Sequence, residues 1–173
     1  RGKWKVRASV TLRWTFGGEG HDLLFDHASD ALTRQNESRR LLIFGRLPEP
    51  GVAKTRLAPF LSEEDASDLY QSFLDDALGM GNSICALELW VPERPGAFEK
   101  LSLRYPKSTI RLQPEGSLGE KLMAAFEASF SEGIDYVLAV GSDHPTLPAE
   151  YLMEGFCSLR RTSAVWGPTD DGG

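Results

Sequence analysis

Leu41-Leu42-Ile43-Phe44 is an unbroken apolar run that stops at Gly45, and it constrains the fold more than any other feature. Four consecutive apolar side chains put bulk on both faces of a strand, which suits a strand covered on both sides. Ala86 to Val91 and Tyr136 to Val140 repeat the signal, and Thr109 to Leu112 is a shorter version. Between these runs the period changes to that of a helix. Ala66, Leu69, Tyr70, Phe73, Leu74, Ala77 and Leu78 share one helical face. Ser62-Glu63-Glu64-Asp65 opens that helix like a capping box, with Asp where Glu or Gln is usual. Gly79 and Gly81 are expected to stop it. Further helices are expected over Ala97 to Tyr105, over Ser117 to Phe130 (Leu118, Leu122, Ala125, Phe126 and Phe130 on one face) and over Ala149 to Arg161. Ala164 to Trp166 reads as a last short strand. This alternation predicts an α/β fold in three layers, αβα, with a mainly parallel sheet between helices.

Residues 1–40 stand apart. Val6, Ala8, Val10, Leu12 and Trp14 alternate as a strand would, until Gly17, Gly18 and Gly20 interrupt. From Asp26 to Arg40 the chain is polar with weak periodicity. Residues 1–40 are therefore read as an N-terminal extension of unassigned role, and 41–173 as the domain. The chain opens on Arg1 without a Met and stops at Gly173 inside a motif, so a domain cut short at its C-terminus is expected.

The formal net charge is −6, which argues against a nucleic-acid binder, since such proteins need a basic face. Residues 1–40 carry eight Lys and Arg against five Asp and Glu, while the remainder carries eleven against twenty. A basic cluster inside that acidic remainder stands out. No apolar run approaches the length needed to span a bilayer, and no charged-then-apolar secretory start is present. Two cysteines, Cys85 and Cys157, make neither a disulfide scaffold nor a zinc site. Buried free thiols in a reducing cytoplasm are expected.

Open parallel sheets bind ligands outside the carboxyl ends of their strands. The loop after Phe44 holds the basic cluster: Arg46, Lys54 and Arg56, with Thr55 adding a hydroxyl. Pro48 and Pro50 restrict its backbone and Gly51 permits a positive φ. A stiffened loop loses less entropy on closing around an anion. Arg binds phosphate bidentately and Lys supplies a compact charge. Phosphate binding is the favoured reading over an ordinary solvated loop. A P-loop is excluded, because Ala53 stands where that motif needs Gly before the Lys.

Asp143, in Val140-Gly141-Ser142-Asp143-His144-Pro145, sits where the strongest strand empties into the same crevice. Its carboxylate suits Mg²⁺ or Mn²⁺, hard cations often shared with substrate phosphates. The alternative is that Asp143 or Ser142 caps a turn or the next helix. His144 is given no role. Asp171, in Asp170-Asp171-Gly172-Gly173, is a second metal ligand or substrate contact, or else part of an ordinary Asp-Gly turn. Ser117 and Glu120 form a capping box at a helix start, which is compatible with ligand contact by the amides there.

Together LLIFGRLPEPGVAKTRL, EGSLGEKLMAAF, VGSDHPTLP and GPTDDGG resemble one family over about Leu41 to Gly173. It is the bacterial glycosyltransferase-like group related to 2-phospho-lactate guanylyltransferase and labelled for arsenosugar biosynthesis. The resemblance implies a nucleotide-diphospho-sugar transferase fold of the GT-A, Rossmann-like kind. It implies that Arg46, Lys54 and Arg56 embrace phosphates, that Leu118 and Gly119 lie near the nucleotide, and that Asp143 binds metal. Asp171 matches the acid of a motif that runs on in that family as Asp-Gly-Gly-Tyr-Tyr. The expected activity is a metal-dependent glycosyltransferase using a nucleotide sugar and an unassigned small-molecule acceptor, with Gly51 and Thr55 completing the phosphate loop and Lys54, Asp143 and Asp171 carrying the chemistry. A nucleotidyltransferase consuming an NTP is the second expectation, and a non-catalytic nucleotide-binding module the third.

Overall fold

Leu41, Leu42 and Ile43 are all fully buried, so the strand they form is covered on both faces. The computed structural model of the chain describes residues 8–16, 19–27, 38–57 and 59–167. Within these, β1 (Ala8–Phe16) and β2 (Glu19–His27) pair antiparallel as a two-stranded sheet of their own. The alternation of Val10, Leu12 and Trp14 marked the first strand. The second was missed, because Gly20 was taken as a break, whereas it pairs with Thr15 in the ladder.

The main sheet comprises β3 (Arg39–Phe44), β4 (Ala86–Pro92), β5 (Thr109–Gln113) and β6 (Tyr136–Gly141), all parallel, in the order β5-β4-β3-β6. Four helices follow them: α1 (Glu63–Asn82), α2 (Ala97–Arg104), α3 (Leu118–Ser131) and α4 (Ala149–Leu159). The chain steps outward from β3 through β4 to β5, then returns to the other side of β3. Right-handed crossovers then require α1 and α2 on one face and α3 on the other. Accordingly, Leu41, Ile43, Leu87, Leu89 and Val91 pack with Leu74, Ala77, Leu78, Ala97 and Leu101. Leu42, Trp90 and Val137 face Ala125, with Phe126 and Phe130 packed alongside. Helix α4 lies on the α1 face, where Leu152 joins the first cluster. Full burial of each large side chain contributes roughly 1.5–3 kcal/mol. The three-layer αβα arrangement expected from the sequence is the one observed.

The two helix caps differ by one methylene. Glu120 reaches back to the Ser117 amide at 2.7 Å and completes a capping box at α3. At α1, Asp65 donates its amide to Ser62 Oγ, and its carboxylate accepts from that same hydroxyl instead of reaching the Ser62 amide.

Three expectations are corrected. Helix α1 runs through Gly79 and Gly81 to Asn82. A Cβ on Gly81 would stand 2.2 Å from Leu87 Cδ1 and 2.9 Å from Leu41 Cδ2, so this glycine serves close helix–sheet approach and does not end the helix. Ala164 to Trp166 is not a strand; three residues form a strand only by pairing in a sheet, and these belong to neither sheet of the described residues. Cys157 is exposed and Cys85 half-buried, both as free thiols, because Cys157 falls on the outward side of α4.

Charge is also buried beneath α3. Glu88 is 3% exposed and pairs with Arg40 at 3.1 Å and Arg111 at 3.2 Å, while Trp90 Nε1 donates to it at 2.9 Å. Glu132, the C-cap of α3, closes the set against both arginines. The network ties three strands to the end of one helix, and it draws Arg40 into β3 just before the apolar run, while Arg39 lies over the Phe156 ring at 5.8 Å.

Candidate functional site

The strand order reverses between β3 and β6, and the chain leaves both strands at their carboxyl ends there. Such a switch point opens a crevice between the two departing loops. The loop from β3 is pinned by Leu47 and Ala53, each 3% exposed, and by Glu49, which pairs with Lys100 on α2. Gly51 takes φ +73, as its place in a tight turn requires. Lys54 follows at φ 54, the one non-glycine residue with positive φ among those described. That conformation costs on the order of 1 kcal/mol for a residue with a Cβ. It sends the ammonium to 3.0 Å from Asp143 Oδ1 on the loop from β6, with the Phe73 ring centroid 5.3 Å away.

A second link lies beneath the first. Tyr70 of α1 is 3% exposed, and its hydroxyl accepts from the Arg46 amide at 2.8 Å and hydrogen-bonds Ser142 Oγ at 2.7 Å. Burial pushes its phenol above the ordinary value, outweighing those bonds. Gly45 makes room for this contact, since a Cβ there would meet the Tyr70 hydroxyl and Leu89 Cδ1 at 3.1 Å each. Gln113, at the end of β5, donates to the Trp90 carbonyl at 2.8 Å and leans on that of Gly45 at 3.4 Å. A recess of about 80 Å³ lies between Gly51, Ala53, Lys54 and Thr55 on one side and Ser62, Glu63 and Ala66 on the other. It is smaller than the roughly 300–1,000 Å³ of a complete small-molecule site.

The structure thus brings Lys54 to Asp143. Arg46, Thr55 and Arg56 belong to the same loop and its following 3-10 turn, all exposed, and neither arginine enters the Lys54–Asp143 pair. Leu118, 49% exposed, and Gly119 form the first turn of α3, beyond the edge strand β5. Leu118 was expected on the buried face of α3 and instead points outward. Asp171, Gly172 and Gly173 lie outside the described residues.

A family model described as "Uncharacterized protein conserved in bacteria (DUF2064)" matches residues 80–173. The chain belongs to this family. The matched stretch holds Gln113, Leu118, Gly119, Ser142 and Asp143, and the loop of Lys54 precedes it. A solved structure from Desulfovibrio desulfuricans G20, described as a "putative nucleotide-diphospho-sugar transferase", is similar with a TM-score of 0.68 and 29% identity over 73% of this chain and 56% of that one. The chain therefore spans little more than half the length of that relative. No curated protein matches. No helix among the described residues is long and apolar enough to cross a membrane.

Sequence reasoning passed over two residues of this family member's site. Tyr70 was counted as one more apolar position on α1, and Phe73 likewise. Helical periodicity records only that a side chain faces the core and is silent about a hydroxyl at its tip. The one available signal was proximity, since α1 begins directly after the basic loop.

Proposed function

We propose that this chain is the nucleotide-binding part of a metal-dependent glycosyltransferase whose donor is a nucleotide-diphospho-sugar. The observation that carries the reading is the Lys54–Asp143 pair at 3.0 Å, which joins the two loops flanking the switch point. The likeness to the Desulfovibrio desulfuricans G20 structure supports the same class. In the reaction an acceptor nucleophile bonds to the anomeric carbon as that carbon's bond to the diphosphate oxygen breaks. Negative charge grows on the departing nucleoside diphosphate. Lys54, Arg46 and Arg56 stabilise that charge, the electrostatic part of catalysis, and Thr55 donates its hydroxyl to a phosphate oxygen. Leu118 and Gly119 border the nucleoside.

Mg²⁺ or Mn²⁺ suits the donor set. Among the described residues no group of three acid, His or Cys side chains is arranged around an ion. These cations, however, take only one or two protein carboxylates when phosphates and waters complete the shell. Asp143 is 57% exposed and already holds one cation, the Lys54 ammonium. Asp143 would hold the metal, with Asp171 as the second carboxylate, and the metal would neutralise the leaving diphosphate. The finer kinship to guanylyltransferases and to arsenosugar synthesis rests on the sequence motifs alone.

Product analysis on the purified chain with a panel of nucleotide sugars and Mn²⁺ tests the proposal. Release of a nucleoside diphosphate supports it. Pyrophosphate release from GTP or CTP identifies a nucleotidyltransferase in its place. Binding without turnover of either substrate class identifies a binding module.

A further inference from the structure

We infer that Tyr70 is a positioning residue that fixes the spacing of the two site loops and so lets a diphosphate and a divalent cation bind as one unit. The inference rests on the transferase reading and adds a residue to it. Tyr70 belongs to neither loop, yet its single hydroxyl touches both: the Arg46 amide at 2.8 Å and Ser142 Oγ at 2.7 Å. Arg46 opens the phosphate loop, and Ser142 immediately precedes Asp143. Ser142 is 4% exposed and its amide donates to the Phe44 carbonyl at 3.2 Å, which ties it to the last residue of β3. Tyr70 is 3% exposed and packed on a helix whose Leu74, Ala77 and Leu78 are anchored in the core. A helix anchored in the core therefore bridges the starts of the two loops through one oxygen atom.

The consequence concerns coupling more than affinity for either partner alone. The Lys54 ammonium and the Asp143 carboxylate neutralise each other at 3.0 Å. An isolated phosphate draws Lys54 away and strands Asp143, while an isolated cation draws Asp143 away and strands Lys54. A cation–diphosphate unit satisfies both at once, provided that the loops stay at the distance it spans. Without the hydroxyl only the backbone tie from Ser142 to Phe44 holds the two loops in register, and the joint site loses its advantage while each half keeps its own charge.

Tyr70→Phe keeps the ring and removes the oxygen, and Ser142→Ala breaks the same bond from the other side. Isothermal titration with inorganic pyrophosphate, with Mn²⁺, and with the two combined measures the coupling in each variant, circular dichroism confirming the fold. Each variant is expected to weaken binding of the combined ligand by about tenfold, the size of one lost buried hydrogen bond, while each component alone stays within about twofold. The double variant is expected to be no worse than Tyr70→Phe, because the bond that Ser142→Ala breaks is already gone in Tyr70→Phe. Wild-type coupling that persists in Tyr70→Phe, additive effects of the two substitutions, or equal weakening of all three ligands overturns the inference and leaves the transferase reading intact. Failure of the wild-type protein to bind the combined ligand overturns both.

Discussion

Lys54 reaches Asp143 only because its backbone adopts φ 54, a conformation that glycine takes without strain. Lys54→Gly is therefore expected to raise unfolding stability by a few tenths to about 1 kcal/mol relative to Lys54→Ala, which keeps the strain without the ammonium. Loss of the ion pair itself changes stability little, since Asp143 is 57% exposed and surface pairs are worth well under about 1 kcal/mol. Urea denaturation of the two variants checks this. Both should lose phosphate binding, so the more stable variant is also an inactive one.

Glycines within α1 predict opposite signs. Gly79 is exposed and a Cβ there meets nothing within 4 Å, so Gly79→Ala should stabilise by up to about 1 kcal/mol through helix propensity. Gly81→Ala gains the same propensity but drives a methyl into Leu87 and Leu41. Overpacking of about 1–3 kcal/mol makes the net effect destabilising. Thermal denaturation of the pair should show the melting temperature rising for one and falling for the other.

Glu88 is the shared acid of a buried network with Arg40, Arg111 and Trp90. Glu88→Ala leaves Arg40, whose side chain is 12% exposed, with Glu132 and a long 3.5 Å bond to Ser129 Oγ, and takes away the acceptor of the Trp90 N–H. A loss of about 3 kcal/mol is expected in chemical denaturation. Arg111→Ala should be milder, because that side chain is 39% exposed.

The cluster joining α1 to the end of α2 makes stability depend on pH at both ends of the range. Burial raises the Asp75 carboxyl, but hydrogen bonds from Arg104, Tyr105 and Gln71 outweigh it, and the net shift is downward from 3.8. The unfolded chain therefore takes up this proton first, and stability falls as pH drops below 3.8 through the lower folded value. Burial and the bond to Asp75 push the Tyr105 phenol from 10.0 up to about 12. Its contribution is complete below pH 10.0 and is lost as pH rises towards about 12. Tyr105→Phe should flatten the alkaline fall in urea midpoint and, by removing one of the bonds that hold Asp75 down, also soften the acid fall.

The sheet was legible because parallel strands buried on both faces spell themselves in unbroken apolar runs, as Leu41 to Phe44 and Tyr136 to Val140 do. The rule that ligands sit outside the carboxyl ends of parallel strands pointed to the loops of Lys54 and Asp143, and the structure brings these two side chains to 3.0 Å. Arg39 and Arg40 were not legible as strand, since their place in the sheet depends on distant partners, Glu88 for Arg40 and the Phe156 ring for Arg39. Gly81 was misread because glycine marks both helix ends and close packing, and the sequence does not distinguish them. Tyr70 was hidden by its own ring, whose apolar bulk accounts for its position so well that the hydroxyl goes unnoticed.

A thermal-shift panel of nucleoside diphosphates and nucleotide sugars, with and without Mn²⁺, on wild type, Lys54→Ala and Asp143→Ala tests most directly whether the two loops form one ligand site. Stabilisation of the wild type that requires Mn²⁺, about 2–3 kcal/mol at a hundredfold excess over Kd, and its loss in both variants, is the predicted result. Stabilisation independent of metal, or variants that respond as the wild type does, would contradict the account.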